Sequence, residues 1–251
     1  MSAFGAVVYR EARIRATNLL FIFWDVCYPL GYLLVFGVGV SGALGFTAPG
    51  MQMDYNAFFL AGVLAMASFG IAANTSWSFF LDRDSGMYYE MLTYPISRGA
   101  FLVAKVLFNV AVAVVQSFVT VLLAALLLDV PLRYDLLPIL VAAVVFGTAG
   151  WFFFYATFAL WIRRNDAYNT VTSIFYFVFL FVSSMFYPLD ALPEGLRLVG
   201  YANPVTWHTD VLRFATVGLG DARLVAAEAA AFLVFSVASF VVALRVLQRQ
   251  E

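Results

Sequence analysis

The sequence predicts an all-α integral membrane protein with six membrane-spanning helices, and its composition and the spacing of its apolar residues carry that prediction. Hydrophobic residues form 64% of the 251 residues, charged residues only 12%, and the mean hydropathy is +0.91. Soluble domains are about half apolar and a quarter charged. The apolar residues lie in six long runs, and a bilayer core about 30 Å thick needs about 20 apolar residues per helix.

Prolines, glycines and charged residues separate the six runs. The predicted spans are 19–44, 57–81, 101–128, 136–162, 168–187 and 224–247. They leave little room for a soluble domain, so we treat residues 1–251 as a single transmembrane domain.

The basic residues predict an orientation, because loops that stay in the cytoplasm retain an excess of Lys and Arg. With six spans, ten of the 14 basic residues fall on the side that also holds both termini, and four fall on the other side. We therefore expect a multi-pass protein of the cell (inner, cytoplasmic) membrane with both termini in the cytoplasm.

Residues 1–17 precede the first span and predict an amphipathic helix that lies in the membrane interface. Val7 falls on an apolar side and Arg10 on a polar side. Glu11 and Arg15 blur this division, but they are spaced i, i+4 and are expected to pair with each other. A flexible tail that does not dock is the alternative.

The stretch 190–221 is mildly apolar but is interrupted by Pro193, Gly200, Pro204 and Gly218. A proline inside a span removes a backbone hydrogen bond and breaks the helix. We therefore predict two short re-entrant helices, which dip into the membrane without crossing it, rather than a further span.

Several kinds of chemistry have no support in the sequence. Lys105 is the only lysine and lies outside any Gly-Lys-Ser/Thr loop, so the chain is not expected to hydrolyse ATP. One cysteine, Cys27, and one histidine, His208, exclude a cysteine- or histidine-based zinc site. No basic run suits a nucleic-acid backbone. We expect no metal, no cofactor and no nucleic acid on this chain.

One enzyme pattern does occur. Gly218-Leu219-Gly220-Asp221 is the GxGD string of intramembrane aspartyl proteases, and Asp135 follows Tyr134 as in their second motif. Two carboxylates that share a proton can activate water. Both aspartates lie outside the predicted spans, however, and Gly-Asp before an apolar run is also an ordinary helix start.

Three segments carry a resemblance to a known family. They are 82–98 (DRDSGMYYEMLTYPISR), followed by Lys105; 187–193 (YPLDALP); and 203–213 (NPVTWHTDVLR). They are similar to the cytoplasmic loop, the segment after the fifth span and the following Asn-Pro string of type-2 ABC exporter permeases, and they occur in the family's order.

The resemblance implies the permease subunit of an ABC exporter, which moves its cargo outward. It implies a dimer of permeases, with a second copy or a paralogue, and two ATP-binding subunits that carry ATP and Mg. Segment 82–98 would dock on those subunits as a cytoplasmic coupling helix. The residues assigned to this contact are Arg83, Gly86, Met87, Tyr88, Glu90, Met91, Leu92 and Arg98. Those assigned to the external re-entrant region are Pro188, Asn203, Pro204, Asp210 and Arg213.

Aromatic residues recur every four positions in the first span, and they predict either a pathway lining or a packed face. The lining candidates are Trp24, Tyr28, Tyr32, Asn74, Ser78 and Gln116. The family's cargoes imply an amphipathic drug-like molecule, a lipid or a lipid-linked glycan. An intramembrane aspartyl protease, a channel or secondary transporter without an ATPase, and a membrane anchor for a soluble enzyme remain as alternatives.

Overall fold

The computed structural model describes residues 2–44 and 54–249, and helices with short turns form this part of the chain. In chain order the helices are α1 (Ala3–Thr17), α2 (Leu19–Leu44), α3 (Tyr55–Asp84), α4 (Met87–Leu92), α5 (Arg98–Leu128), α6 (Leu137–Trp161), α7 (Asn165–Phe181), α8 (Glu194–Tyr201), α9 (Pro204–Val217) and α10 (Ala222–Gln248). Single 3-10 turns occur at Tyr134–Leu136 and Leu189–Ala191. No strand occurs in the described ranges, which confirms the predicted all-α class.

Four helices among the described residues are long and apolar enough to cross a membrane: Tyr55–Asp84, Arg98–Leu128, Tyr134–Trp161 and Ala222–Gln248. They are α3, α5, α6 with its preceding turn, and α10, and they make the chain a multi-pass protein. Helix α2 has 26 residues and α7 has 17. The count of six spans depends on these two helices and stays a prediction.

Helix α3 forms the centre of the bundle and packs against α2, α5, α6 and α9. Small residues permit this close packing, as is usual between helices in membranes. A methyl group on Gly62 would lie 2.5 Å from the carbonyl oxygen of Met185, so the α3 backbone directly contacts the segment after α7.

Short polar side chains set the helix starts. Ser97 accepts a hydrogen bond from the Ala100 N–H at the start of α5, and Asp221 caps α10 in the same way. Asn203 caps α9, where Pro204 occupies the first turn, as the sequence predicts. Gly86 adopts a φ of 74° between α3 and α4, a conformation that favours glycine and lets the chain turn sharply there.

The N-terminal helix is present as α1, and it packs against α5 and α2. The expected pairing of Glu11 with Arg15 is wrong. The buried face of α1 consists of Val7, Glu11 and Arg15, and both charged residues pair with other helices. The i, i+4 pairing rule describes the solvent face of an isolated helix, whereas these side chains face the bundle. The interfacial position of α1 stays a prediction.

The segment 190–221 contains two short helices, α8 and α9, divided just before Pro204. This division follows the prediction. Their re-entry into the membrane stays a prediction. Because Phe58 at the start of α3 contacts Arg213 of α9 while α3 ends beside α4, these elements mark opposite ends of the bundle. We call them the α9 end and the α4 end.

Candidate functional site

Four charged side chains meet at the α4 end, and we call them the Lys105 cluster: Arg10, Glu11, Asp82 and Lys105. Lys105 is 0% exposed, and its Nζ lies 2.9 Å from Glu11 Oε1 and 2.6 Å from Asp82 Oδ2. Arg10 pairs with Asp82 and lies 3.2 Å from Glu11 Oε1. Two cations therefore balance two anions, and burial of this kind is tolerated only when the charges are paired.

The Lys105 cluster joins three helices that are distant in the sequence. Arg10 and Glu11 belong to α1, Asp82 lies near the end of α3, and Lys105 lies in α5. Helix α4 begins only a few residues after Asp82. The cluster therefore connects α1 and α5 to the end of α3, just before α4 begins.

A second buried ion pair links α1 to α2. Arg15 pairs with Asp25, and both residues are buried. Neither this pair nor the Lys105 cluster was recognised in the sequence. A hint was present, since Asp25 is an acidic residue inside a predicted span, where such residues are rare and usually paired.

Helix α4 is anchored to its own chain through two residues that were assigned to a partner's groove. Tyr88 and Met91 are each 1% exposed, and Tyr88 packs edge-on against Phe79 of α3. Burial raises the pKa of the Tyr88 hydroxyl to about 12. Tyr88 and Met91 were expected to contact the ATP-binding subunits, and this expectation is corrected: both side chains pack against the bundle of their own chain.

Arg83 also faces inward. Its guanidinium donates to the carbonyl oxygens of Ala159 at 2.9 Å, Leu160 at 2.9 Å and Ile162 at 3.2 Å, and so caps the end of α6. The Arg83 guanidinium, which was assigned to the contact with the ATP-binding subunits, is thus engaged within its own chain. Arg83 therefore fixes the end of α6 to the end of α3, just before α4 begins.

The other assigned contact residues remain accessible to different degrees. Gly86 and Glu90 are exposed, and Met87 and Arg98 are half-buried. The Leu92 side chain lies outside the described residues. Tyr89, which was not assigned, is exposed beside Glu90. The outward surface of α4 is thus formed by Gly86, Met87, Tyr89 and Glu90.

Three of the predicted lining residues meet in one cavity of about 390 Å³ between α2, α3 and α7. Trp24 and Tyr28 line it from α2, and Asn74 lines it from α3, opposite Tyr176 of α7. Asn74 also hydrogen-bonds the carboxylate of Asp25. The cavity therefore combines aromatic faces with an amide group and with Asp25, whose carboxylate is paired with Arg15.

Tyr32 lines a neighbouring cavity of about 330 Å³, and Tyr176 lines both cavities. The hydroxyl oxygens of Tyr28 and Tyr32 are 3.3 Å apart. We call the two spaces together the aromatic cavities.

Ser78 and Gln116 line neither aromatic cavity. The Ser78 hydroxyl donates to the Thr75 carbonyl of its own helix at 2.6 Å. Gln116 is buried in α5, and its amide donates to the Thr120 hydroxyl at 3.1 Å. Both side chains donate within their own helices, although the buried Gln116 Oε1 has no hydrogen-bond partner among the described residues. Their assignment to the lining has no support in this geometry.

A second buried arginine organises the α9 end. Arg213 is 4% exposed, pairs with Asp210, and donates to the carbonyl oxygens of Ser184 at 2.6 Å and Phe58 at 3.3 Å. Its guanidinium carbon lies 3.9 Å from the centre of the Phe58 ring. Arg213 thereby holds the segment after α7, the start of α3 and α9 together.

The remaining residues assigned to the external region have structural contacts. The Asn203 amide donates to the Phe179 carbonyl at 2.8 Å, which attaches the start of α9 to α7. Pro188 immediately precedes the Leu189–Ala191 turn. Pro204 begins α9.

Comparison with known proteins gives the chain its family. Residues 2–216 match the family described as ABC-2 type transporter. The chain belongs to this family. As an ABC-2 family member with several membrane-crossing helices, it is a transmembrane transport permease.

Three relatives carry a matching name, "Putative transport permease ycf38". The chain is 23% identical over 218 residues to the protein of Pyropia yezoensis, which covers 82% of this chain and 73% of that protein. It is 25% identical over 193 residues to the protein of Cyanophora paradoxa and 24% identical over 190 residues to that of Porphyra purpurea. These two matches cover 75% of this chain and 65% of each relative, so the chain spans somewhat less than two thirds of their length.

His208 is a packed residue in this ABC-2 permease. Trp151 Nε1 donates to its Nδ1 at 3.3 Å, its Nε2 lies 3.2 Å from the Ala143 carbonyl, and its ring stacks on Phe232. A methyl group on Gly147 would overlap the imidazole. Both ring nitrogens are engaged, so neither is available as a general base.

The two aspartates of the protease pattern are each engaged locally. Asp135 accepts from Arg133 Nε at 2.9 Å and Nη2 at 2.7 Å. Asp221 accepts from the N–H groups of Arg223 at 2.9 Å and Leu224 at 3.1 Å, as a helix cap. Neither carboxylate has the environment of a pair that shares a proton.

Proposed function

We propose that this permease is the membrane-spanning subunit of an ABC exporter, which moves an amphipathic drug-like molecule, a lipid or a lipid-linked glycan outward. A separate subunit hydrolyses ATP. The observation that carries this proposal is the Lys105 cluster, because it joins the end of α3, just before α4, to α1 and α5 within an ABC-2 family fold.

The proposed assembly contains two ATP-binding subunits, with ATP and Mg, and two permease chains in the cell membrane. The α4 end faces the cytoplasm, in agreement with the excess of basic residues on that side. The exposed surface of α4, with Tyr89 and Glu90, contacts the ATP-binding subunit. An aromatic residue beside a charge is a common composition for such a contact.

Force applied to α4 has a defined route into the membrane domain. Tyr88 and Met91 fix α4 to the bundle, and Arg83 fixes the same region to the end of α6. The Lys105 cluster then passes the displacement to α1 and α5. Since α3 is one continuous helix, its movement at the α4 end also reaches the α9 end.

The aromatic cavities are the proposed cargo contact. Their aromatic faces suit an apolar body, and Asn74 with the tyrosine hydroxyls suits a polar group on the same molecule. Such a lining favours an amphipathic cargo over a small ion.

Replacing Glu90 with Arg tests the docking surface. If Glu90 faces a basic groove, charge reversal places like charges together, which costs several kcal/mol, so we expect at least about a tenfold loss of associated ATP-binding subunit. The measurement is co-purification in mild detergent from cells that produce both subunits. Glu194→Arg, on exposed α8 at the other end, is the matched control. Equal recovery with Glu90→Arg and Glu194→Arg would show that α4 is not the docking surface.

Replacing Trp24 with Ala tests the aromatic cavities. Loss of one aromatic contact is worth about 0.5–1.5 kcal/mol, so the cargo concentration for half-maximal stimulation of ATP hydrolysis should rise about two- to tenfold. Leu20→Ala is the control, since Leu20 lies one turn earlier on α2 and is exposed. A response to cargo identical in the two variants would remove Trp24 from the cargo path.

A further inference from the structure

A separate cavity of about 210 Å³ lies at the α9 end, between the start of α3, α9 and the start of α10. It shares no lining residue with the aromatic cavities. Phe58, which lines it, and Asp82 of the Lys105 cluster are 24 residues apart on α3. At 1.5 Å per residue, the cavity lies about 36 Å from that cluster along the helix.

Glu228 is the unusual residue of this cavity. It lies on α10, is 7% exposed, and its Oε2 has no hydrogen-bond partner within the described part of the chain. Buried polar atoms in proteins are nearly always hydrogen-bonded, and a buried carboxylate without a partner is costly. The unpaired Oε2 therefore leaves a buried acceptor available to a ligand in the cavity.

The charges around Glu228 indicate the sign of the ligand. Burial disfavours a negative charge on the Glu228 carboxylate, Asp210 adds repulsion, and Arg213 attracts it. Arg213, however, is already committed to Asp210 and to the Ser184 and Phe58 carbonyls. Asp221 also lines the cavity, so three acidic side chains face one guanidinium, and a bound cation would offset the cost of burying a charged Glu228. A cation fits this field.

The rest of the lining indicates which kind of cation. No group of three or more metal-ligating side chains occurs among the described residues. The cavity wall instead contains aromatic and aliphatic side chains, including Phe58, Tyr201 and Leu224. Aromatic faces attract ammonium groups, and aliphatic walls accept the attached hydrocarbon.

We propose that this cavity binds the ammonium group of an amphipathic amine, with Glu228 as its principal hydrogen-bond acceptor. The inference deepens the proposed exporter function, on which it rests for the nature of the ligand: either cationic cargo that is leaving the pathway, or an aminophospholipid headgroup at the membrane surface. Both sources present the same ammonium chemistry to Glu228.

The test is binding of radiolabelled dodecylamine to the full permease chain in phosphatidylcholine nanodiscs, with dodecanol as the uncharged counterpart. Glu228→Gln keeps the shape of the side chain but removes its charge. Because the variant removes the buried charge that pairs with the ammonium group, we expect dodecylamine to bind at least about tenfold more weakly, with dodecanol binding unchanged. Glu194→Gln, at an exposed acid on α8, should bind dodecylamine as the unaltered protein does.

Equal dodecylamine affinity in Glu228→Gln and the unaltered protein would overturn the proposal, and so would dodecylamine binding no tighter than dodecanol. Should Glu228→Gln fold poorly by circular dichroism, Glu228→Asp replaces it: the shortened carboxylate keeps the charge and should weaken dodecylamine binding while dodecanol binding stays constant. If both variants keep the selectivity for dodecylamine over dodecanol, the proposal is overturned.

Nanodiscs that contain phosphatidylethanolamine separate the two sources. Competition by this lipid with dodecylamine in the unaltered protein, but not in Glu228→Gln, assigns the site to a lipid headgroup. Absence of competition, with amine binding still dependent on Glu228, assigns it to cargo. The permease alone suffices for this experiment, so failed amine binding with intact ATPase association overturns only this inference. Intact amine binding without any associated ATPase overturns the exporter function instead.

Discussion

Replacing Lys105 with Met is expected to lower the free energy of unfolding by about 3–5 kcal/mol, because it leaves Glu11 and Asp82 buried with only Arg10 to balance them. The methionine fills a similar volume but donates no hydrogen bond. Unfolding of the purified protein with increasing SDS in mixed micelles measures this difference. Arg13→Met is the control: it removes an exposed charge from α1 and should change stability by less than about 0.5 kcal/mol.

The double variant Lys105→Met with Asp82→Asn checks the cause. If the cost of Lys105→Met comes from an unpaired carboxylate, neutralising Asp82 should recover part of the lost stability, and the two effects should not add. Additive losses, or a Lys105→Met protein as stable as Arg13→Met, would contradict the assignment of Lys105 as the centre of this cluster.

The Lys105 cluster also shows where sequence reasoning ends. Lys105 is noticeable because it is the only lysine and follows the 82–98 motif. Its partner Glu11, however, lies 94 residues away, and no local spacing connects the two. The i, i+4 rule favoured Arg15 as the partner of Glu11, since it contains no information about what covers that face of α1.

Helix α4 gives a second example. A coupling helix is expected within 82–98, and a helix is present at Met87–Leu92. Apolar residues on one face of a helix indicate that this face is covered, but they do not indicate which chain covers it. The bundle itself covers Tyr88 and Met91, which leaves the polar face with Glu90 for a partner.

The fold was more accessible to sequence reasoning than the sites. Long apolar runs and helix caps such as Asn203 depend on local properties, so the helices and the break before Pro204 could be predicted. Buried contacts depend on neighbours from distant segments. Glu228 is an example: in the sequence it is a single acid near the start of a span, and its surroundings come from α3 and α9, which are distant segments.

Replacing Arg213 with Met is expected to destabilise the protein by about as much as Lys105→Met, roughly 3–5 kcal/mol. The change removes the donors for the Ser184 and Phe58 carbonyls and leaves Asp210 without its cation. Each buried acceptor without a donor costs about 1–3 kcal/mol. The SDS unfolding experiment measures the loss, and Arg223→Met, at an exposed arginine at the start of α10, is the matched control.

Arg213→Lys separates charge from geometry. A lysine keeps the positive charge near Asp210, but its single ammonium group cannot donate along the three directions that the planar guanidinium serves. We therefore expect Arg213→Lys to lie between the unaltered protein and Arg213→Met in stability. A lysine variant as stable as the unaltered protein would mean that the charge pair with Asp210 alone matters, and that α3, α9 and the segment after α7 are held together by other contacts.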